Sequence, residues 1–264
     1  MKFDKEKVEQ DAKRLRKAYD VQTCGIADIF SFINSQEIEL IRYPFGKNTI
    51  LGFSTLYEGK KIIVSNSSEI LSREIYTVAH ELGHVIYDLN DETRIKVDRE
   101  KSDVGISEDR AYYFADCLLM PEEKINATIK EVIKKSGSEL RAINIVQMQL
   151  EYRVSFNALL ERLSALGIIS PDKRSDLYKE RDFYRSKNLF RMLGADEDLL
   201  APTDKVIVPP QYIDYVMSNY ENKYIPLSSL KKALNLVDID TSDLQEQKSE
   251  VEDDSIEDLF LEFE

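Results

Sequence analysis

Cysteine and histidine are each present only twice in this 264-residue chain. Cys24 and Cys117 lie in apolar sequence with no paired spacing, which argues against a disulfide framework and fits a reducing compartment. No apolar run approaches the ~20 residues that a membrane-spanning helix needs, so no membrane association is expected. The opening Met1-Lys2-Phe3-Asp4-Lys5-Glu6-Lys7 lacks the apolar core of a signal peptide and reads as a charged helix. The expected location is the cytoplasm. Concentrated positive charge is also missing. Of the formal −13, residues 238–264 carry −11, with Lys248 as their only basic residue. The body is left near −2, which disfavours direct nucleic-acid binding, because phosphate contacts need clustered Lys and Arg. No internal repeat is evident. The length allows one substantial domain and one or two small ones.

Both histidines fall in one short run, His80-Glu81-Leu82-Gly83-His84. This is the H-E-x-x-H pattern of zinc-dependent peptidases. On a helix, positions i and i+4 share a face, so the two imidazoles can reach one metal ion. Glu81, on an adjacent face, is placed to take a proton from a water that the metal polarises. Ile75, Val78, Ala79, Leu82 and Ile86 recur at helical spacing and predict an apolar face beneath the site. Ser68 or Ser72 is the expected cap, and Asn90 the expected end. Gly83 costs roughly 1 kcal/mol in a helix relative to alanine. That cost implies either a backbone or substrate passing close to the metal, or tight helix–strand packing.

Catalytic zinc sites generally use three protein ligands and leave one position open. With no further histidine, the third ligand must be a carboxylate or a cysteine. Glu108 is the best candidate, in a helix that Ser107 can cap, with Ala111, Ala115 and Leu118 on the same side. Small alanines there would let this helix lie close against the one bearing His80. Asp109 and Asp116 are rival carboxylates, better read as solvated charges, and Cys117 is better read as a small core residue.

The blocks Ala79-His80-Glu81-Leu82-Gly83-His84 and Glu108-x-x-Ala111-x-x-Phe114-Ala115-x-x-Leu118-Leu119-Met120-Pro121 resemble the ImmA/IrrE family of metallopeptidases. Gly52-Phe53-Ser54 and Ile62-Ile63-Val64-x-Asn66 are similar to strands which that family places before its metal helix. A weaker likeness continues through Val154-Ser155-x-x-Ala158-Leu159-x-x-Arg162-Leu163. The resemblance implies a cytoplasmic endopeptidase that cuts a helix-turn-helix transcriptional repressor and so releases mobile-element, prophage or stress-response genes. Carried across, His80, His84 and Glu108 would bind Zn2+, and Glu81 would be the general base. The family usually has Asn or Asp directly after the alanine equivalent to Ala111, where it can orient a metal-binding histidine. This chain has Tyr112. A hydroxyl of Tyr112 or Tyr113 would then support a ligand or stabilise an oxyanion, unless both are packing residues. The competing reading is a zinc-braced binding protein, an antirepressor or toxin–antitoxin partner that sequesters its target without cutting it.

The expected fold is α+β, a zincin-like minimal metalloprotease core with a small mixed sheet, followed by all-helical, helix-turn-helix-like additions. Helices are expected over 4–19, 24–35, 69–89 and 107–119, and strands over 37–43, 49–56 and 60–65. Pro121 opens a further helix running to Gly137. Lys60–Ser65 would offer a substrate an edge to pair with, unless it is an interior strand. The expected division is 1–122 catalytic, 123–178 helical and helix-turn-helix-like, 179–237 a helical module, and 238–264 an acidic tail. Within 139–169 the helix-turn-helix-like pattern is better explained by packing than by DNA reading. Most tails of this charge are disordered and solvating. This one also spaces Ile256, Leu259, Phe260 and Phe263 at i, i+3, i+4 and i+7, a stripe able to enter a groove on the enzyme or on a partner.

Overall fold

The computed structural model describes residues 3–21, 23–89, 101–242 and 244. Asn90 and the stripe from Ile256 to Phe263 lie outside them. Contacts divide the chain once, into units 1–209 and 210–264.

The first unit is α+β. Helices α1 (Lys5–Ala18) and α2 (Ile29–Asn34) lead into strands β1 (Glu39–Tyr43), β2 (Gly52–Tyr57) and β3 (Lys60–Asn66). Helices α3 (Leu71–Tyr87) and α4 (Lys101–Leu119) carry the site. After them come α5 (Glu122–Ala127), a π-helical turn over Thr128–Ile133, α6 (Ala142–Tyr152), α7 (Phe156–Ala165), α8 (Pro171–Tyr184) and α9 (Ser186–Met192). The helix expected over 24–35 is confined to its second half, where the Asp28 carboxylate accepts from the backbone of Phe30 and Ser31.

The sheet is mixed, in the order β1-β3-β2. β3 pairs in parallel with β1 and antiparallel with β2, joined to β2 by a Glu58-Gly59 turn with both residues at positive φ. Lys60–Ser65 is therefore the central strand, and the edge expected there belongs elsewhere. The physical reason is that β1, from before the hairpin, pairs with β3 on the side away from β2, and the segment 201–207 lies beyond β1. Arg42 and Ile207 exchange two backbone hydrogen bonds of 2.9 Å, which closes the outer edge of β1. Among the described residues, the edge of β2 is the one left without a partner strand.

Side chains alternate across the sheet. Leu40, Arg42, Ile63, Ser65 and Ser54 face α3, while Ile41, Val64 and Phe53 form a row on the opposite face. Glu74 of α3 is clamped to the sheet by Arg42, at 2.8 and 2.6 Å, and by Ser65 at 2.9 Å. Arg42 also reaches Thr203 at 2.8 Å. Thus one buried ion pair ties together strand, metal helix and the covering segment.

Neither expected cap is used. α3 begins after Ile70 with no side-chain cap; the Leu71 N–H bonds instead to the Ala201 carbonyl at 2.9 Å. α4 starts six residues before Ser107, so that serine is interior to the helix. At the other end of α4, two buried arginines satisfy carbonyls that have no helical partner. Arg16 donates to Leu118 O at 2.8 Å and Arg162 to Met120 O at 3.1 Å. These bonds fix α4 axially relative to α1 and α7.

Residues on both sides of the 122/123 and 178/179 boundaries share one apolar core. It includes Phe114, Leu118, Ile125, Tyr152, Leu160, Leu177 and Phe190. The helix-turn-helix-like pair α6 and α7 contributes Ile145, Leu159 and Leu163 to that core. The second unit holds α10 (Gln211–Glu221) and α11 (Leu227–Asn235), packed around Val216, Leu230 and Leu234. Among the described residues, no helix is long and apolar enough to cross a membrane.

Candidate metal centre

The two histidines lie one turn apart on α3 with their rings nearly perpendicular and their Nε2 atoms 3.1 Å apart. Glu108 of α4 completes a triangle, with Oε2 3.2 Å from His80 Nε2 and Oε1 3.2 Å from His84 Nε2. The approach of α4 explains Gly83. A Cβ there would lie 3.0 Å from Ala111 Cα and 3.3 Å from its Cβ and carbonyl oxygen. The close neighbour is thus a second helix, neither substrate nor strand. Ala111, one turn after Glu108, is the small residue that allows the approach.

The triangle suits a metal. Around a tetrahedral zinc with bonds of ~2.0–2.1 Å, adjacent ligand atoms sit about 3.3–3.4 Å apart, close to the observed spacing. Two imidazoles and one carboxylate form a borderline N/O donor set that fits Zn2+ among other divalent ions. These three residues form the His/Cys/Asp/Glu group able to hold a metal among the described residues.

The two imidazoles are supported unequally. His84 Nδ1 lies 2.7 Å from Asp88 Oδ2, so Nδ1 carries the proton and Nε2 presents its lone pair to the centre. Asp88 is itself held by Ser107 at 2.6 Å and by Arg110 at 2.5 Å, and Arg110 lies over the Tyr87 ring. Burial alone would raise the Asp88 carboxyl and lower His84. Their mutual hydrogen bond, with Ser107 and Arg110 also acting on Asp88, reverses both directions. His80 has no such support. Its Nδ1 is buried without a hydrogen-bond partner among the described residues, and burial with the neighbouring His84 holds it below the usual histidine range.

Tyr112 packs against that histidine instead, ring centroids 4.2 Å apart, and is 51% exposed at the mouth of the site. Tyr113 points away. Its hydroxyl donates to Glu9 of α1 and its ring packs on Phe3, so it has no place at the metal. The other rivals also fall away. Asp109 is exposed, Asp116 accepts from Tyr76 at 2.9 Å, and Cys117 is a core thiol that burial pushes up to about 11.

Glu81 is buried beside the triangle, and Ser54 of β2 donates to its Oε2 at 2.9 Å. Burial raises this carboxyl above the usual range, against the opposing effect of the serine hydrogen bond. A carboxylate so placed gains affinity for a proton without losing its orientation.

Sequence reasoning missed Asp88, Ser107 in its actual role, Arg110 and Ser54. Asp88 had a readable signal, since it stands at i+4 from His84 on the same helix. Ser54 had a weaker one, its place two residues from Gly52 on a strand.

Fold and site together define a peptidase-type α+β domain built around a His–His–carboxylate cluster. The Peptidase M78 family model, described as the IrrE N-terminal-like domain, matches residues 33–164, half of the chain, and the chain belongs to that family. The match spans the sheet, both site helices and α5 to α7. No curated protein sequence matches the chain.

Proposed function

We propose that this protein is a zinc-dependent endopeptidase that makes a site-specific cut in a helix-turn-helix transcriptional repressor. The observation that carries the enzymatic reading is the convergence of His80 Nε2, His84 Nε2 and Glu108 on one point, with the raised Glu81 carboxyl alongside. His80, His84 and Glu108 would hold the ion, which when bound supplies Lewis acidity to the scissile carbonyl and to water. The chain's own residues do the rest. Glu81, oriented through Oε2 by Ser54, takes a proton from the attacking water and delivers it to the leaving amine nitrogen. Asp88 keeps His84 in the tautomer that binds through Nε2. Tyr112, whose partly exposed ring packs on His80, is assigned the role of donor to negative charge developing on the carbonyl oxygen. An extended substrate segment adds to the open edge of β2. The repressor as substrate is supported by the family resemblance of the motifs, and a cytoplasmic setting agrees with that substrate.

The test is intact-mass analysis of helix-turn-helix repressors from the same genome after incubation with zinc-loaded protein, with Glu81→Gln as control. Two discrete fragments from wild type alone support the reading. A repressor that co-purifies uncut with both proteins favours sequestration, or a protease that awaits an activating signal.

A further inference from the structure

Beyond the cut itself, the open edge of β2 carries information about what is cut. Asn66 N–H donates to the Leu51 carbonyl at 2.9 Å, so the Leu51/Asn66 pair is a hydrogen-bonded one. Such pairs alternate along an antiparallel ladder. Phe53, Thr55 and Tyr57 therefore also bond inward to β3, while the backbone groups of Gly52 and Leu56 and the carbonyl of Ser54 project from the unpaired edge; the Ser54 N–H also acts on the Glu81 carboxylate. The Ser54 side chain meanwhile holds Glu81. A peptide strand that pairs with this edge thus hydrogen-bonds to Ser54 directly beside the proton-transferring carboxylate. Its residue opposite Ser54 points toward the metal side, and the next residue points to the outer face, opposite Phe53.

On that outer face Phe53 ends a row of apolar side chains, Ile41, Val64 and Phe53, one from each strand in register. Val64 is buried within the row, and Phe53 at its open end is 41% exposed. A row of this kind is extended by a further apolar side chain at the cross-strand distance of ~4.5–5.5 Å. The neighbouring row reads Glu39, Ile62 and Thr55 and ends in a hydroxyl, so it offers no equivalent surface.

We infer that Phe53 is a specificity-determining residue, and that the enzyme selects extended peptide segments with a large apolar or aromatic side chain within two residues of the bond it cuts. This inference rests on the peptidase reading above. The occupant is a peptide strand because the edge supplies main-chain donors and acceptors, and it is apolar opposite Phe53 because that row is apolar on all three strands. The expected preference over serine at that position is about five- to tenfold in kcat/KM, the range of a good cross-strand aromatic or aliphatic pair.

The experiment digests a randomised peptide mixture with zinc-loaded full-length protein and maps the cut sites by mass spectrometry. Matched peptides bearing Leu, Phe or Ser at the enriched position are then assayed with wild type, Phe53→Ser and Phe53→Leu. The inference holds if large apolar residues are enriched within two residues of the cut, Phe53→Ser collapses the apolar-to-serine ratio toward one, and Phe53→Leu keeps most of it. The leucine variant keeps the result readable should serine weaken the fold. Cleavage without apolar enrichment, or a ratio that Phe53→Ser leaves unchanged, overturns the inference while leaving the peptidase intact. Failure to cut any peptide, with zinc bound, overturns both.

Discussion

Gly83→Ala tests whether the packing of α3 on α4 sets the metal geometry. Helix propensity favours the alanine by about 1 kcal/mol. Against that, the new methyl would meet Ala111 Cα at 3.0 Å and its Cβ and carbonyl oxygen at 3.3 Å. Two of these three contacts are backbone atoms, which cannot swing aside, so the helices must part by a few tenths of an ångström. Overpacking of this kind costs about 1–3 kcal/mol, and the net change expected is a loss of about 0–2 kcal/mol. The larger effect falls on the metal. His84 adjoins Gly83 on α3, and Glu108 precedes Ala111 by one turn on α4. Parting the helices therefore stretches the 3.2 Å between His84 Nε2 and Glu108 Oε1. Metal–ligand distances tolerate only about ±0.2 Å, so zinc affinity should fall about tenfold or more. Chelator-competition titration reads the affinity, and urea melts of the metal-free protein read the stability. In the double variant Gly83→Ala with Ala111→Gly, only the Cβ contact is relieved, and recovery should be partial. If Gly83→Ala instead gains the full helix-propensity increment and binds zinc like wild type, the close approach does not position the site.

Asp88→Ala removes the 2.7 Å partner of His84 Nδ1, leaves Ser107 Oγ at 3.4 Å as the nearest hydroxyl, and should weaken zinc binding about 10–100-fold. Competition titration checks this, and an unchanged affinity would show that Ser107 alone suffices to orient the ring. Asp116, pushed up to about 6 by burial, binds its proton more tightly in the folded chain than in the unfolded one. Its contribution is complete below the ordinary carboxylate range and is lost as pH rises through about 6. Asp116→Asn keeps an acceptor for Tyr76, so its stability relative to wild type should grow by up to about 3 kcal/mol between pH 4 and pH 7.5 in urea melts; a constant difference across that range contradicts the assignment. Glu74→Ala leaves Arg42 buried without its carboxylate and should cost about 3–5 kcal/mol, whereas Arg42→Leu with Glu74→Leu should recover much of it. Equal losses in the single and double variants would show that the leucine pair does not pack.

What was legible in the sequence is what short-range periodicity encodes. The apolar stripe from Ile75 to Ile86 places α3, because that face packs on the sheet and on α4. The i, i+4 spacing of His80 and His84 brings their rings together for the same helical reason. The alternation of β2 and β3 with a Glu58-Gly59 turn marks a hairpin. What escaped was set by chain segments far away in sequence. Ser68 and Ser72 are reasonable caps by composition, yet the first helical N–H is satisfied from Ala201, 130 residues later. Ser107 looks like a cap because nothing local reveals that α4 begins at Lys101, or that its hydroxyl is taken by Asp88. The central position of β3 depends on its parallel pairing with β1, where Glu39 meets Ile62, and a short window around Lys60 does not contain that strand.

The same distinction separates the two histidines. His84 carries its orienting partner on its own helix, one turn later, so motif and support are encoded together. His80 depends on whatever α4 presents, and at the position after Ala111 this chain presents an aromatic ring where a polar partner could have stood. A ring packed on an imidazole limits its rotation by contact but neither fixes its tautomer nor raises its basicity. His84 is therefore the firmly oriented ligand and His80 the one held by packing. Tyr112→Asn should supply the missing acceptor and tighten zinc binding through His80, while removing the hydroxyl proposed to meet the developing oxyanion. Higher zinc affinity with a lower kcat in that variant would establish that this chain has exchanged support of a ligand for a donor at the mouth of its site. Unchanged affinity and unchanged kcat would reduce Tyr112 to packing alone.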